Sequence, residues 1–276
     1  GGPAQTIAEV DGFQDAAWST HGDILFRPTS RTPLFRVSEN GGPVEQVTTL
    51  NEALTENSHR APRFLPDGRR FLFTTRCGER ANNALYLGSL DGPELTRLMP
   101  TEAQVILVEP TAGQPGRLLF YRDGLVFVQP FDTDAGSLYG EAQPVLDGVG
   151  YNAPSILLFL RASRDARVLG FQPEGIQDSE LTWFTRNGQI DGTLGPPGEY
   201  AQPRISPSGD RVAFSRADPD SGNRDIWFME TERGVMARLS LHVANDWYPV
   251  WSPDGRRLAF GSDREGGPRL PTHLKA

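Results

Sequence analysis

Residues 249–260 read Pro249-Val250-Trp251-Ser252-Pro253-Asp254-Gly255-Arg256-Arg257-Leu258-Ala259-Phe260, and residues 62–73 read Pro62-Arg63-Phe64-Leu65-Pro66-Asp67-Gly68-Arg69-Arg70-Phe71-Leu72-Phe73. The two stretches align across twelve positions and share Pro-Asp-Gly-Arg-Arg and the closing Phe. A third copy runs Pro203-Arg204-Ile205-Ser206-Pro207-Ser208-Gly209-Asp210-Arg211-Val212-Ala213-Phe214. Weaker copies are Ala17-Trp18-Ser19-Thr20-His21-Gly22, leading to Phe26, and Ala162-Ser163-Arg164-Asp165, leading to Phe171. Phe120 keeps the period but has lost the turn motif, so the closing phenylalanine falls at 26, 73, 120, 171, 214 and 260. A second self-match sets the phase. Gly1-Gly2-Pro3-Ala4-Gln5-Thr6-Ile7 resembles Gly41-Gly42-Pro43-Val44-Glu45-Gln46-Val47, so the chain begins in the last strand of a repeat.

Each repeat reads as four short strands. Ser252-Pro253-Asp254-Gly255 is a turn: Pro presets φ, Asp tolerates the next position, and Gly takes the positive φ that closes a hairpin. The second strand, Leu258-Ala259-Phe260 and its equivalents, is apolar on both sides, as a strand covered on both faces should be. Third strands are aromatic and aliphatic: Leu34–Val37, Leu85–Leu87, Val126–Val128, Leu181–Phe184 and Ile226–Phe228. Glycine turns follow at Gly41, Gly92, Gly136, Gly188 and Gly234, the Asn187-Gly188 pair being the strongest hairpin signal. Fourth strands are more polar, as at Glu45–Val47, Thr96–Leu98 and Ala237–Leu239.

Four-stranded units repeating every 43 to 51 residues, without helical periodicity, predict an all-β β-propeller. A β-sandwich would not need one turn motif repeated in phase. The expected architecture is a single domain over 1–276 with about six four-stranded blades, near 11–50, 51–100, 101–149, 150–197, 198–242 and 243–276, plus an N-terminal strand at 3–9. Pro268 and Pro271 oppose a third strand at 267–271 in the last repeat. Two arrangements stand open. In one, Ala4–Ala8 pairs beside residues 257–261 and closes a six-bladed ring; in the other, the chain is an arc of a longer propeller.

The 30 glycines and 23 prolines among 276 residues exceed the average share of about 12% but fall short of low-complexity disorder. They are the turn chemistry of one blade, repeated. A net charge of −8 disfavours non-specific binding to nucleic acid or anionic membranes. No apolar run approaches the roughly 18–20 residues of a membrane helix. The single cysteine, Cys77, excludes an internal disulfide framework and a multi-cysteine zinc site. The start at Gly1-Gly2-Pro3, without Met or a signal-peptide pattern, reads as a piece of something longer.

The repeat Pro-x-Trp-Ser-Pro-Asp-Gly-x-x-Leu-Ala-Phe resembles the WD40-like units of TolB-type propellers. Six stretches strengthen a narrower resemblance: 58–73, 85–91, 117–124 with 129–132, 181–188, 222–227 and 246–255. Together they are similar to the C-terminal propeller region of bacterial serine/threonine protein kinases, over about residues 1–266. That resemblance implies a kinase domain and usually a membrane helix upstream, further blades on both sides, and a propeller on the extracytoplasmic side of a membrane-anchored parent, with a cytoplasmic location as the alternative. The tail after Gly267 departs from the family's Asp-Leu-Tyr strand.

The chain carries neither the glycine-rich loop, His-Arg-Asp and Asp-Phe-Gly motifs of kinases nor a Gly-x-Ser-x-Gly nucleophile elbow. Its four histidines, His21, His59, His242 and His273, are scattered. The acidic stretch 218–225 has oxygen donors on alternate positions but lacks the downstream bidentate Glu of a calcium loop. Arg60, Arg63, Arg69, Arg70, Arg76 and Arg80 crowd the second repeat, where solubility explains them better than an anion patch. Asp132 and Asp134 read as a turn.

Residues just before strand one enter near a propeller axis. They are Asn57, His59 and Arg60, then Tyr200 and Gln202, then Asp246, Trp247 and Tyr248. Polar and aromatic groups at a channel mouth suit recognition of a ligand or peptide. The expectation is therefore a non-catalytic, monomeric module that binds a protein, peptide or small molecule. It uses no cofactor and no metal, binds no nucleic acid, and serves as the sensor or scaffold region of a bacterial serine/threonine kinase. The alternatives are a TolB-like envelope interaction module and, third, a propeller lyase or hydrolase.

Overall fold

The computed structural model describes residues 5–111, 113–152, 157–162, 169–171, 179–184, 189–198, 200–218, 222–264 and 272–275. They fall into two compact units, one of residues 1–49 with 198–276 and one of residues 50–197.

In chain order, β1 (Thr6–Val10) precedes a sheet of β2 (Gln14–Trp18), β3 (Asp23–Arg27), β4 (Phe35–Ser38) and β5 (Glu45–Gln46). Next come β6 (Glu56–Phe64), β7 (Arg70–Cys77), β8 (Ala84–Ser89) and β9 (Gly92–Pro100). A five-stranded sheet holds β10 (Ile106–Val108), β11 (Arg117–Arg122), β12 (Leu125–Asp132), β13 (Ser137–Leu138) and β14 (Gln143–Leu146). The pair β15 (Tyr151–Asn152) and β16 (Leu157–Leu158) leads to β17 (Leu160–Ala162), β18 (Leu169–Phe171), β19 (Ser179–Phe184) and β20 (Ile190–Gly198). Then follow β21 (Ala201–Ile205), β22 (Arg211–Ala217), β23 (Arg224–Glu230) and β24 (Met236–Arg238). The last strands are β25 (Asp246–Trp251), β26 (Leu258–Ser262) and β27 (Thr272–Lys275).

The all-β blade architecture agrees with the sequence, but the count of six uniform blades does not. Among the described residues, four sheets are plain four-stranded blades of consecutive strands: β2–β5, β6–β9, β17–β20 and β21–β24. The β10–β14 sheet departs because β12 pairs with both β13 and β14, Phe131 facing Leu138 and Val126 facing Leu146. The remaining sheet has the order β1-β27-β26-β25. Here β1 pairs with β27, Glu9 facing His273, and β27 pairs with β26, Leu274 facing Gly261. The N-terminal strand therefore does not lie beside residues 257–261, because β27 intervenes. Residues 267–271 lie outside the described residues, and the third strand of this sheet is Thr272–Lys275, beyond both prolines. As the sequence phase requires, β1 is an outermost strand.

Second strands are well buried and the outer strands are not. β3, β7 and β26 bury nearly all their positions and β22 its central four, Val212–Ser215, while β5, β9 and β14 are largely exposed. The closing phenylalanines Phe26, Phe73, Phe120, Phe214 and Phe260 are all in the core, and the side chain of Phe171 lies outside the described residues. Between β6–β9 and β10–β14, Leu65, Leu72, Leu85, Leu107, Leu118 and Phe131 pack together. Between β21–β24 and the last sheet, Ala213, Ile226, Leu258 and Phe260 do the same.

The repeated turn forms alike in its three best copies. Gly68, Gly209 and Gly255 take φ of 66°, 77° and 68°, as a side-chain-free residue allows. Their amides donate to the carbonyls of Leu65, Ser206 and Ser252, each at 2.9 Å. Asp67 Oδ1 accepts the amides of Arg69 and Arg70, and Asp254 Oδ1 accepts the Arg256 amide and the Ser252 hydroxyl. The Asn187-Gly188 turn lies outside the described residues.

Candidate functional site

Prolines in strand one, at 62, 203 and 249, shape the inner strands. Pro cannot donate to a ladder and so marks a bulge. In β6, Ala61 and Pro62 together oppose Phe73; in β21, Gln202 and Pro203 oppose Phe214; in β25, Tyr248 and Pro249 oppose Phe260. β2 carries a comparable irregularity at Asp15, beside Phe26. The first bulge residue is left-handed each time: Asp15, Ala61, Gln202 and Tyr248 have φ of 34°, 50°, 52° and 57°. A bulge of this kind sharpens the twist and re-aims a side chain. Phe26, Phe73, Phe214 and Phe260 thus sit across from or beside the kink in strand one of their sheets.

The eight residues expected at a channel mouth are divided between the two units. In the unit of residues 50–197, His59 is fully buried, 3.1 Å from Glu56 Oε2, with its ring 4.7 Å from that of Phe73. Asn57 Oδ1 accepts from Arg76 Nη1 at 2.9 Å, and Arg60 Nε donates to Ser58 Oγ at 2.9 Å. These groups are held by their own sheet.

In the other unit, Tyr200 is buried edge-on to Phe214 at 4.9 Å. Gln202 Oε1 accepts the Tyr248 amide at 3.4 Å, which links the bulges of two neighbouring inner strands. Asp246 is fully buried and pairs with Arg264 at 2.6 Å, while its carbonyl accepts from Ser215 Oγ. Gln202, Trp247 and Tyr248 are half-buried. Asp225 is also buried, pairs with Arg238 at 2.6 Å and accepts from Ser240. Burial pushes the Asp225 carboxyl above its ordinary range against the pull of Arg238 and Ser240, and the Asp246 charge adds to the rise.

Other groups singled out in the sequence are engaged structurally. Asp218 and Asp225 both pair with Arg238, and residues 219–221 of the acidic stretch lie outside the described residues. Arg63 reaches Glu109, Arg69 reaches Asp91, and Arg70 reaches Asp67 and the carbonyls of Thr133 and Asp134. Asp132 caps the amides of Asp134 and Ala135, as a turn residue does. Among the described residues there is no group of three or more His, Cys, Asp or Glu side chains that could hold a metal ion. No helix of the described residues is long and apolar enough to cross a membrane.

Sequence reasoning missed one feature of this region. The link from β24 to β25 leaves Leu241 77% exposed and Val243 89% exposed, and Leu239 at its start is exposed too. The link ends at Asn245 and runs directly into Asp246, Trp247 and Tyr248. The signal was present in Leu239-Ser240-Leu241-His242-Val243, which places apolar residues on alternate positions where no strand needs them.

The model of the TolB beta propeller domain matches residues 186–272. Among solved structures, a putative TolB from Agrobacterium tumefaciens superposes with a TM-score of 0.59 at 19% identity, covering 88% of this chain and 87% of that one. TolB from Acinetobacter baumannii gives 0.59 at 14% identity, over 95% and 62%. An oligogalacturonate lyase from Vibrio parahaemolyticus gives 0.58 at 10% identity, over 96% and 77%. Among curated proteins, the uncharacterized peptidase YuxL of Bacillus subtilis is 40% identical over 68 residues, which are 23% of this chain and 10% of that protein. The chain thus matches about a tenth of that relative's length. The fold is a β-propeller like that of the TolB structures, and residues 186–272 match the TolB propeller domain.

Proposed function

We propose that this propeller is a non-catalytic module that binds a protein partner through the face where the β24–β25 link enters β25. The observation that carries this reading is the exposure of Leu241 and Val243, consecutive in alternation and followed at once by the half-buried Trp247 and Tyr248. Clustered exposed apolar side chains cost solubility and mark interaction sites. Aromatic residues at the edge of such a cluster are typical binding anchors. The expected mouth residues then divide by task. Asp246 and Tyr200, which are buried, hold the strand starts, while Gln202, Trp247 and Tyr248 meet the partner.

Within this reading, the likeness to TolB structures favours a bacterial envelope interaction module, outside the cytoplasm. The sequence resemblance to kinase-linked propellers offers a finer alternative, a sensor or scaffold region of a serine/threonine kinase. Kinase motifs upstream in the intact reading frame would favour that alternative. A lyase or hydrolase reading would rest on fold likeness alone.

The test is site-specific photo-crosslinking in the native host from position 243, with position 190 as control, since Ile190 is also 70% exposed but lies in the other unit. A discrete protein adduct from 243 and none from 190 is expected. Adducts at equal yield from both, or none from 243, would overturn the proposal.

A further inference from the structure

Among the described residues, three buried polar atoms on one face of the last sheet lack a protein partner: Asp246 Oδ1, Ser262 Oγ and Arg264 Nε. Asp246 and Ser262 stand opposite each other in the β25–β26 register, so their side chains leave the sheet on the same side. Arg264, two positions beyond Ser262, is on that side too, as its 2.6 Å pair from Nη2 to Asp246 Oδ2 requires. Asp246 and Ser262 are both 0% exposed. Unmet hydrogen-bonding groups in such a place destabilise the fold. Asp263 also has an unpartnered Oδ1, but its other oxygen faces Asn245, on the opposite side of the strand pair.

The chemistry of the three atoms restricts what could join them. The carboxylate oxygen needs a donor, the guanidinium nitrogen needs an acceptor, and the hydroxyl takes either role. A cation would face the Arg264 guanidinium, and an anion would face Asp246 with Asp225 behind it. A neutral molecule that both donates and accepts suits all three. The three atoms have almost no exposed surface, so a molecule that joins them is enclosed, and water is the smallest neutral one that both donates and accepts. We propose that Asp246, Ser262 and Arg264 form a binding site for one internal water. The water accepts from Arg264 Nε–H, donates to Asp246 Oδ1 and shares a hydrogen bond with Ser262 Oγ. Three partners are the usual complement of a buried water.

This water fixes the start of β25 and with it the backbone that presents Trp247. The Ser215 hydroxyl, donating to the Asp246 carbonyl at 3.2 Å, secures the same residue from the neighbouring blade.

A neutron and X-ray structure of the full chain tests the proposal. The expected result is one deuterated water within hydrogen-bond distance of all three atoms, its oxygen turned to Arg264 Nε. Direct bonding of Ser262 Oγ to Asp246 Oδ1, no peak at the site, or a metal ion there would each overturn it. In solution, ¹⁷O relaxation dispersion on the wild type and on Ser262→Val should show one fewer long-lived water in the variant, whose added methyls fill the site. An unchanged count in a folded Ser262→Val protein would also overturn it.

Discussion

The carboxylate of the repeated turn is the residue on which this blade depends most visibly. In the third copy Ser208 stands where Asp67 and Asp254 stand in the others, yet a carboxylate is still present. Asp210, two residues on, accepts from both Ser208 and Ser206. The sequence pattern made the turn legible but not this displacement, because the hydroxyl bridge from Ser206 is a three-dimensional fact. Hydrogen bonding holds all three carboxyls below their ordinary range. The Ser252 hydroxyl leads at Asp254 and the Ser208 hydroxyl at Asp210; at Asp67 burial raises the value, but the Arg69 and Arg70 amides outweigh it. A depressed folded pKa stabilises above the ordinary carboxylate value of about 3.9 and is lost as pH falls through the folded value. Asp225 acts in the opposite sense: its raised folded pKa favours the fold at low pH, and that contribution is lost as pH rises through the folded value. The triple variant Asp67→Asn, Asp210→Asn, Asp254→Asn should therefore lose less stability than the wild type between neutral pH and about pH 3. Urea midpoints at the two pH values check this; equal losses would contradict it.

At the scale of the element, the pairing of a two-residue bulge with one phenylalanine ties strand one to strand two. Half of this was legible. The phenylalanine period was plain, and the prolines at 62, 203 and 249 were visible at a fixed place in three copies. That they mark bulges was not drawn from the sequence, because proline constrains pairing without saying what the preceding residue does. Gln202 and Tyr248 take left-handed backbone that neither residue type announces. The Phe214 side chain is fully buried, faces its bulge and meets Tyr200 edge-on. Phe214→Ala should cost about 3–5 kcal/mol, as large-to-small core changes do. Phe228→Ala, on the half-buried next strand, should cost clearly less. Chemical denaturation of both variants measures the difference, and equal losses would show that the closing position has no special weight.

For the molecule as a whole, one sheet draws on both ends of the chain. β1 covers β27, which would otherwise be an open edge available to other chains. The same unit is clasped by Glu39, whose Oε2 accepts from Trp18 Nε1 at 3.0 Å and pairs with Arg257 at 2.8 Å, with Arg257 lying 4.9 Å over the Trp18 ring. Such half-exposed pairs contribute up to about 1 kcal/mol each, so the covering strand matters more than the clasp. Removing residues 1–10 should lower the melting temperature and promote self-association, read by light scattering. A monomeric variant of unchanged melting temperature would contradict the role of β1. The sequence phase anticipated an outer strand at the N-terminus. It did not anticipate β27, because two prolines hid a strand lying just beyond them.

The partner face was the least legible part. Residues such as His59 and Asp246 attracted notice by type and turned out to be buried and paired. Leu241 and Val243 carry only a faint mark in the sequence, their alternation outside any strand, and their exposure is what distinguishes them. The most direct test is the dissociation constant of the crosslinked partner, purified, for the wild type and for Leu241→Asp/Val243→Asp. Loss of two exposed apolar anchors should raise Kd at least about tenfold, with the melting temperature unchanged. An unchanged Kd in a folded variant would contradict the account.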